Sequence, residues 1–286
     1  MESPHGAAVS AEDFGLEGPR GRVFRNVTFS ADPGELVAIE GPSGSGRTCL
    51  LLALTGRMRT TEGHAETGGL RLPKQAAAVR RIAALGPVPG VSELDPAFTV
   101  AEHLGERALL QGRYGSPLRA LLRPRAERRA AAEARVDEAL EAAGLDPATL
   151  PKSGRTSVRD LERLEALRLS VALALIGKPR LLAVDDTDLK LSDAEREQAW
   201  ALLRSVADAG TTVLAVCSEA PGNTQVVRTA PAAGEAGVEE PAVEEPATEE
   251  PAAEEAATEE PAAEDATQEP TTEEETADAF AEARRA

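Results

Sequence analysis

The chain has 286 residues, a net charge of −18 and only two cysteines, Cys49 and Cys217. The charge sits at one end: residues 231–286 hold 19 of the 49 acidic side chains and two of the 31 basic ones, leaving 30 acids against 29 bases in residues 1–230. A body so close to neutral has no electrostatic footprint for nucleic acid, isolated cysteines give no disulfide framework, and no apolar run reaches the length of a bilayer.

In chain order, residues 1–21 read as an N-terminal extension. Met1-Glu2-Ser3-Pro4-His5 lacks the basic start and apolar core of a signal peptide, so the expectation is a soluble, cytoplasmic protein with reduced thiols. Val23 to Phe29 reads as a strand, Asp32-Pro33-Gly34 as a turn and Glu35 to Ile39 as a second strand. There follows Gly41-Pro42-Ser43-Gly44-Ser45-Gly46-Arg47-Thr48, and then the helix-like run Cys49 to Leu54. Strand, glycine loop and helix in this order form a phosphate-binding loop. The glycines let successive amides curl around a phosphate, and the helix N-terminus adds partial positive charge. Thr48 offers a hydroxyl to magnesium. Arg47 stands where lysine is usual, in a chain whose only lysines are Lys74, Lys152, Lys178 and Lys190. An unliganded glycine turn is the plain alternative, and the flanking segments weigh against it.

Beyond this loop, Val79 to Leu85 suggests a short strand, and Val100 to Ala143 turns helical, stopped by Gly144 and Pro147. Arg119, Arg123, Arg125, Arg128 and Arg129 crowd this stretch, either as a solvated face or as a surface for an acidic partner. Leu161, Leu164, Leu167, Val171 and Leu175 recur at helical spacing within a helix expected from Ser157 to Ile176. Leu181 to Val184 is a buried strand ending in Asp185-Asp186, for which a solvated or capping pair is the plain alternative. Ser192 and Glu195 form a capping box for a helix that carries Trp200 and ends at Gly210, and Thr211 to Cys217 is the last strand. His5, His64 and His103 have no partners at metal-ligand spacing. Alternating strands and helices imply a mostly parallel sheet covered on both faces. From residue 230 onward, Glu-Glu-Pro steps at Pro241, Pro246, Pro251 and Pro261 predict a disordered acidic tail.

Residues 22–219 resemble the nucleotide-binding domain of ABC transporters. The resemblance rests on the phosphate-binding loop, on Thr99-Val100-Ala101-Glu102-His103-Leu104, on Ala174 to Asp186 and on Gly210 to Val216. It implies an α/β P-loop NTPase fold with an antiparallel β edge and a helical lobe at about 100–176, in a domain of residues 22–229. It also implies ATP and magnesium as ligands. Gly41, Pro42, Ser43, Gly44, Ser45, Gly46, Arg47, Thr48 and Cys49 would take the nucleotide. Thr48 would hold magnesium directly and Asp185 through water. Asp186 falls where the family has its catalytic glutamate, one methylene shorter, a displacement of roughly 1 Å that costs about 10²-fold when positioning matters.

Further departures follow the same map. Leu161-Glu162-Arg163-Leu164-Glu165 stands at the signature sequence, placing a carboxylate where the family uses serine and glycines against a γ-phosphate. The plain reading of Glu162 and Glu165 is a solvated helix face. Pro87 falls near the Q-loop glutamine, Ser218 at the switch histidine and Ser192 at the D-loop aspartate. The adenine-stacking aromatic falls near Gly18, with Phe14 as a substitute. The implied partners are a membrane-spanning transporter subunit at the inner face of the membrane and a second nucleotide-binding domain, in a homo- or heterodimer. Hydrolysis is left open. The alternative function is a nucleotide sensor or scaffold without catalysis.

Overall fold

A computed structural model describes residues 6–19, 21–114 and 124–230. Arg119, Arg123 and the Glu-Pro tail lie outside the described residues.

Two sheets make the body. In the first, β1 (Val9–Gly18) and β2 (Gly21–Ala31) pair antiparallel with β4 (Glu62–Thr67) and β5 (Leu70–Leu72) in the order β2-β1-β4-β5. The second is parallel, in the order β6-β7-β8-β3-β9, built from β3 (Leu36–Glu40), β6 (Ala83–Leu85), β7 (Leu181–Val184), β8 (Thr212–Cys217) and β9 (Gln225–Arg228).

The central strands are apolar throughout because both faces of this sheet are covered. Their side chains divide with period two. Leu36 and Ala38 of β3, Leu182 and Val184 of β7, and Val213 and Ala215 of β8 join one core, with the helical side. Val37 and Ile39, Leu181 and Ala183, and Leu214 and Val216 join the other, against the antiparallel sheet and α1 (Arg47–Leu54).

The helices are α2 (Ala76–Ile82), α3 (Val100–Tyr114), α4 (Arg125–Ala142), α5 (Arg163–Leu175) and α6 (Asp193–Asp208). Gly144 ends α4 as the spacing predicts. It is left-handed at φ 61°, its N–H donates to Glu141 O at 3.0 Å, and Leu145 N–H donates to Leu140 O at 3.0 Å. Leu140 and Leu145 are both buried, which completes a Schellman motif with its apolar contact. At the start of α6, Ser192 N–H donates to Glu195 Oε2 at 2.8 Å, the expected capping box.

Four expectations need correction. The boundary at residue 22 falls too late: β1 is a full member of the antiparallel sheet, and Ala7 N–H donates to Arg180 O at 3.0 Å. The strand expected over 79–85 is mostly helix α2, with only Ala83–Leu85 extended, because good helix formers precede a three-residue edge strand. The helix expected from Ser157 begins at Arg163, after a 3₁₀ turn at Val158–Asp160. Thr212–Cys217 is not the last strand, since Gln225–Arg228 pairs in parallel with β3.

Candidate nucleotide-binding site

The loop between β3 and α1 is shaped by its backbone. Ser45 N–H donates to Pro42 O at 3.2 Å, closing a turn. Gly44 and Gly46 take φ 79° and 80°, a region that costs other residues energy. Gly46, at the N-cap of α1, packs so close to β2 that a Cβ there would collide with the Val23 carbonyl. At Gly44 a Cβ would meet nothing, so the loop has an open side where a ligand can approach. Gly41 is hemmed in by Ser45 and Thr229. The Ser45 and Thr229 hydroxyls, both buried, lie 2.6 Å apart, and Thr229 N–H donates to Glu40 O at 2.9 Å. The segment after β9 therefore buttresses the loop from behind.

Glu40, Gly41, Pro42, Ser43, Arg47, Ser218, Arg228 and Thr229 line a cavity of about 460 Å³ beside it. Sequence reasoning missed Arg228 and Thr229. Their signal is faint, because β9 is four residues long and polar at both ends. Arg228 Nε stands 3.7 Å from Glu40 Oε1 and keeps most of its side chain in solvent. Arg47 Nη1 donates to Cys217 O at 2.6 Å, tying the guanidinium to the end of β8.

The residues expected around magnesium come together. Thr48 Oγ1 donates to Asp185 Oδ2 at 2.7 Å, joining the first turn of α1 to the end of β7 across 137 residues of chain. Asp186 N–H donates to Asp185 Oδ1 at 3.0 Å, so both oxygens of this buried carboxylate accept a bond. Burial, the largest effect, pushes the Asp185 carboxyl above its ordinary range. The Thr48 bond opposes it, the Asp186 charge adds to it, and the Asp186 amide and Arg47 oppose it. A threonine hydroxyl and a carboxylate are the hard oxygen donors that magnesium takes, with phosphate and water supplying the rest. Among the described residues no cluster of three or more acidic, histidine or cysteine side chains forms a metal cage. The hydroxyl and carboxylate of Thr48 and Asp185 are donors that fit magnesium.

Asp186, half-buried, adopts φ 48°, a left-handed backbone uncommon outside glycine. Its neighbour Asp188 accepts from Ser218 N–H at 2.7 Å and from Glu219 N–H at 3.3 Å, which holds the exit of β8 against the loop after β7. Pro87 O accepts from Asp185 N–H at 2.9 Å, so the segment at the Q-loop position borders the same strand end. Cys49 and Cys217 carry thiols. Burial and then Asp185 raise the pKa of Cys49; burial, Asp188 and Glu40 push Cys217 up to about 12, against a smaller opposing effect of Arg47.

Two readings change. Phe14 is fully buried, its ring 6.0 Å from that of Phe24, and cannot stack on a base. Glu162 and Glu165 are more than a solvated face: they form a capping box in which Glu162 N–H donates to Glu165 Oε2 at 2.9 Å. Carboxylates thus occupy the N-terminus of α5. Arg163 Nε donates to Leu189 O at 3.3 Å, and Leu164 is buried in the core.

A family model described as ABC transporter matches residues 24–188. The Nod factor export ATP-binding protein I of Cupriavidus metallidurans is 33% identical over 192 residues, covering 67% of this chain and 56% of that protein. The chain thus spans about half the length of the curated relatives it matches. A bacterial ABC transporter cassette solved as a dimer superposes with a TM-score of 0.59 at 21% identity, over 78% of this chain and 94% of that one. A dimeric ATP-binding cassette in a post-hydrolysis state, bound to ADP and Pi, gives 0.56 at 23% identity, over 74% and 88%. At such identities the structural likeness concerns the fold.

Proposed function

Because this chain belongs to the ABC transporter family, we propose that it is the ATP-binding subunit of a transport complex, binding Mg-ATP at the loop Gly41–Thr48 and slow or inert in hydrolysis by itself. The observation that carries this reading is the Thr48–Asp185 bond of 2.7 Å at the mouth of a glycine loop with an open side. Loop amides and the N-terminus of α1 would grip the phosphates. Thr48 and Asp185 are the residues that would hold magnesium, which supplies charge neutralisation on the phosphate oxygens when bound. Gly46 and the Ser45–Thr229 pair fix the loop so that little reorganisation accompanies binding.

Slow turnover follows from positioned charge, on which phosphoryl transfer depends almost wholly. Asp186 has a short arm for orienting an attacking water. Arg47 is engaged by Cys217 O, and a planar fork does not substitute for a compact ammonium at a tight phosphate site. Glu162 brings negative charge to the N-terminus of α5. A homodimer with two ordinary sites is disfavoured on these grounds, and a heterodimer with an intact subunit is favoured. Among the described residues no helix is long and apolar enough to cross a membrane. Membrane association would come from a separate spanning subunit, with this chain at its inner face.

The capping box at Glu162 favours a second reading, a nucleotide sensor or scaffold without catalysis, since α5 satisfies its own N-terminus. Calorimetric titration of Mg-ATP into the protein and into Arg47→Ala tests binding, with loss in the variant expected. Phosphate release measured beside Asp186→Asn separates the readings. Turnover that appears with a membrane partner and vanishes in the variant supports the transport subunit. Normal affinity with no turnover in any complex supports the sensor, and absence of Mg-ATP binding refutes both.

A further inference from the structure

Three strands end side by side where the glycine loop begins. β3 lies between β8 and β9, and the register sets Cys217, Glu40 and Arg228 in one row across them. Neighbouring strands are about 4.8 Å apart, so groups held at the ends of β8 and β9 flank Glu40, the residue just before Gly41. On the β8 side is the guanidinium of Arg47, whose Nη1 donates to Cys217 O at 2.6 Å. On the β9 side is Arg228, whose Nε stands 3.7 Å from Glu40 Oε1. Both cations line the cavity of about 460 Å³ beside the loop, and Glu40 is the acid in that lining.

A carboxylate at this place works against the loop. The loop amides and the N-terminus of α1 favour an anion, and Glu40 repels one. Its charge is felt across the strand ends: after burial and Asp188, it helps to raise the Cys217 thiol. Arg228 offsets that charge only loosely. A contact of 3.7 Å is longer than a hydrogen bond. The Arg228 side chain is 75% exposed, and exposed ion pairs contribute little. Arg47 is anchored to a backbone carbonyl, whereas Arg228 gives up little on turning to a ligand. Its planar fork of N–H donors matches the oxygens of a phosphate group.

We propose that Arg228 is a phosphate-binding residue of the nucleotide site and sets its preference for a triphosphate. Its guanidinium turns from Glu40 onto the phosphate chain, opposite Arg47 across the end of β3. Loop amides serve any phosphate chain alike. Two flanking cations favour the more highly charged ligand, and a nucleoside triphosphate carries one more negative charge than a diphosphate. The proposal rests on the nucleotide reading above and adds a specificity-determining residue to it.

The test is calorimetric titration of Mg-ATP and of Mg-ADP into the full chain. Both are repeated on Arg228→Gln, Arg228→Lys, Glu40→Gln and the double variant Glu40→Gln/Arg228→Gln, with thermal melts to verify folding. Arg228→Gln is expected to weaken Mg-ATP binding about tenfold and Mg-ADP binding less. Arg228→Lys keeps the charge and loses the fork, so intermediate affinity is expected; it carries the same comparison should the glutamine variant melt early. Glu40→Gln should bind Mg-ATP more tightly. On the Glu40→Gln background a phosphate contact keeps its loss with Arg228→Gln, whereas a residue that only neutralises Glu40 does not. Loss that disappears in the double variant, equal loss for the two nucleotides, or unchanged affinity in Arg228→Gln overturns the proposal and leaves the nucleotide reading standing. A wild-type chain that binds neither nucleotide overturns both.

Discussion

Replacing Asp185 by asparagine separates what this residue does for the fold from what it does for a ligand. The carboxylate is 1% exposed and takes two hydrogen bonds, from Thr48 Oγ1 at 2.7 Å and Asp186 N–H at 3.0 Å. Its pKa is nevertheless raised, so burial, with the Asp186 charge added to it, outweighs both bonds and the Arg47 charge together. A carboxyl whose folded pKa lies above its unfolded one binds its proton more tightly when folded. Its contribution to stability is therefore present at low pH and is lost as pH rises through the raised folded value. At pH 7.5 the ionised group is a net cost to the empty protein. Asparagine keeps the shape, can accept from the Asp186 amide and can donate to Thr48, without a buried charge. We expect Asp185→Asn to stabilise the ligand-free protein by about 1 kcal/mol, raising Tm by about 2–4 °C, and to flatten the pH dependence above pH 4 (about the ordinary carboxylate value). The same substitution removes the charge that would hold magnesium, so the Mg-dependent part of the ATP-induced Tm shift should vanish. Differential scanning fluorimetry over a pH series, with and without Mg-ATP, reads both effects. A lower Tm in the empty variant, or an intact Mg-ATP shift, refutes the reasoning.

Glu162→Ala removes one half of the α5 capping box and should cost about 1 kcal/mol, seen as a lower urea midpoint with unchanged slope. Gly46→Ala forces a left-handed residue, worth about 1–2 kcal/mol, and a collision with the Val23 carbonyl; it should lower Tm and abolish Mg-ATP binding in calorimetry. Cys217, buried and with its thiol pushed up to about 12, should resist alkylation by iodoacetamide at pH 8 in the native protein and react once unfolded in urea, as followed by mass spectrometry.

Much of this molecule is local in origin. The glycine loop, the all-apolar strands at 36–39 and 181–184, the Gly144 stop and the Ser192–Glu195 box each depend on residues within a few positions of one another, so periodicity and turn chemistry exposed them. Thr48 and Asp185, 137 residues apart, were expected in one site through the family likeness and not through local pattern. What stayed hidden depends on distant pairing. β1 and β9 are strands because β2, β4 and β3 lie beside them; little in their own residues demanded it. Phe14 looked available for stacking until the second core enclosed it. Arg228 and Thr229 reached the nucleotide loop only through β9. Sequence alone determined the glycine loop that is proposed to grip a phosphate, because such a loop is made by consecutive residues. Tertiary structure alone decided which cations surround it, because a charge acts through space and its neighbours in space are not its neighbours in the chain.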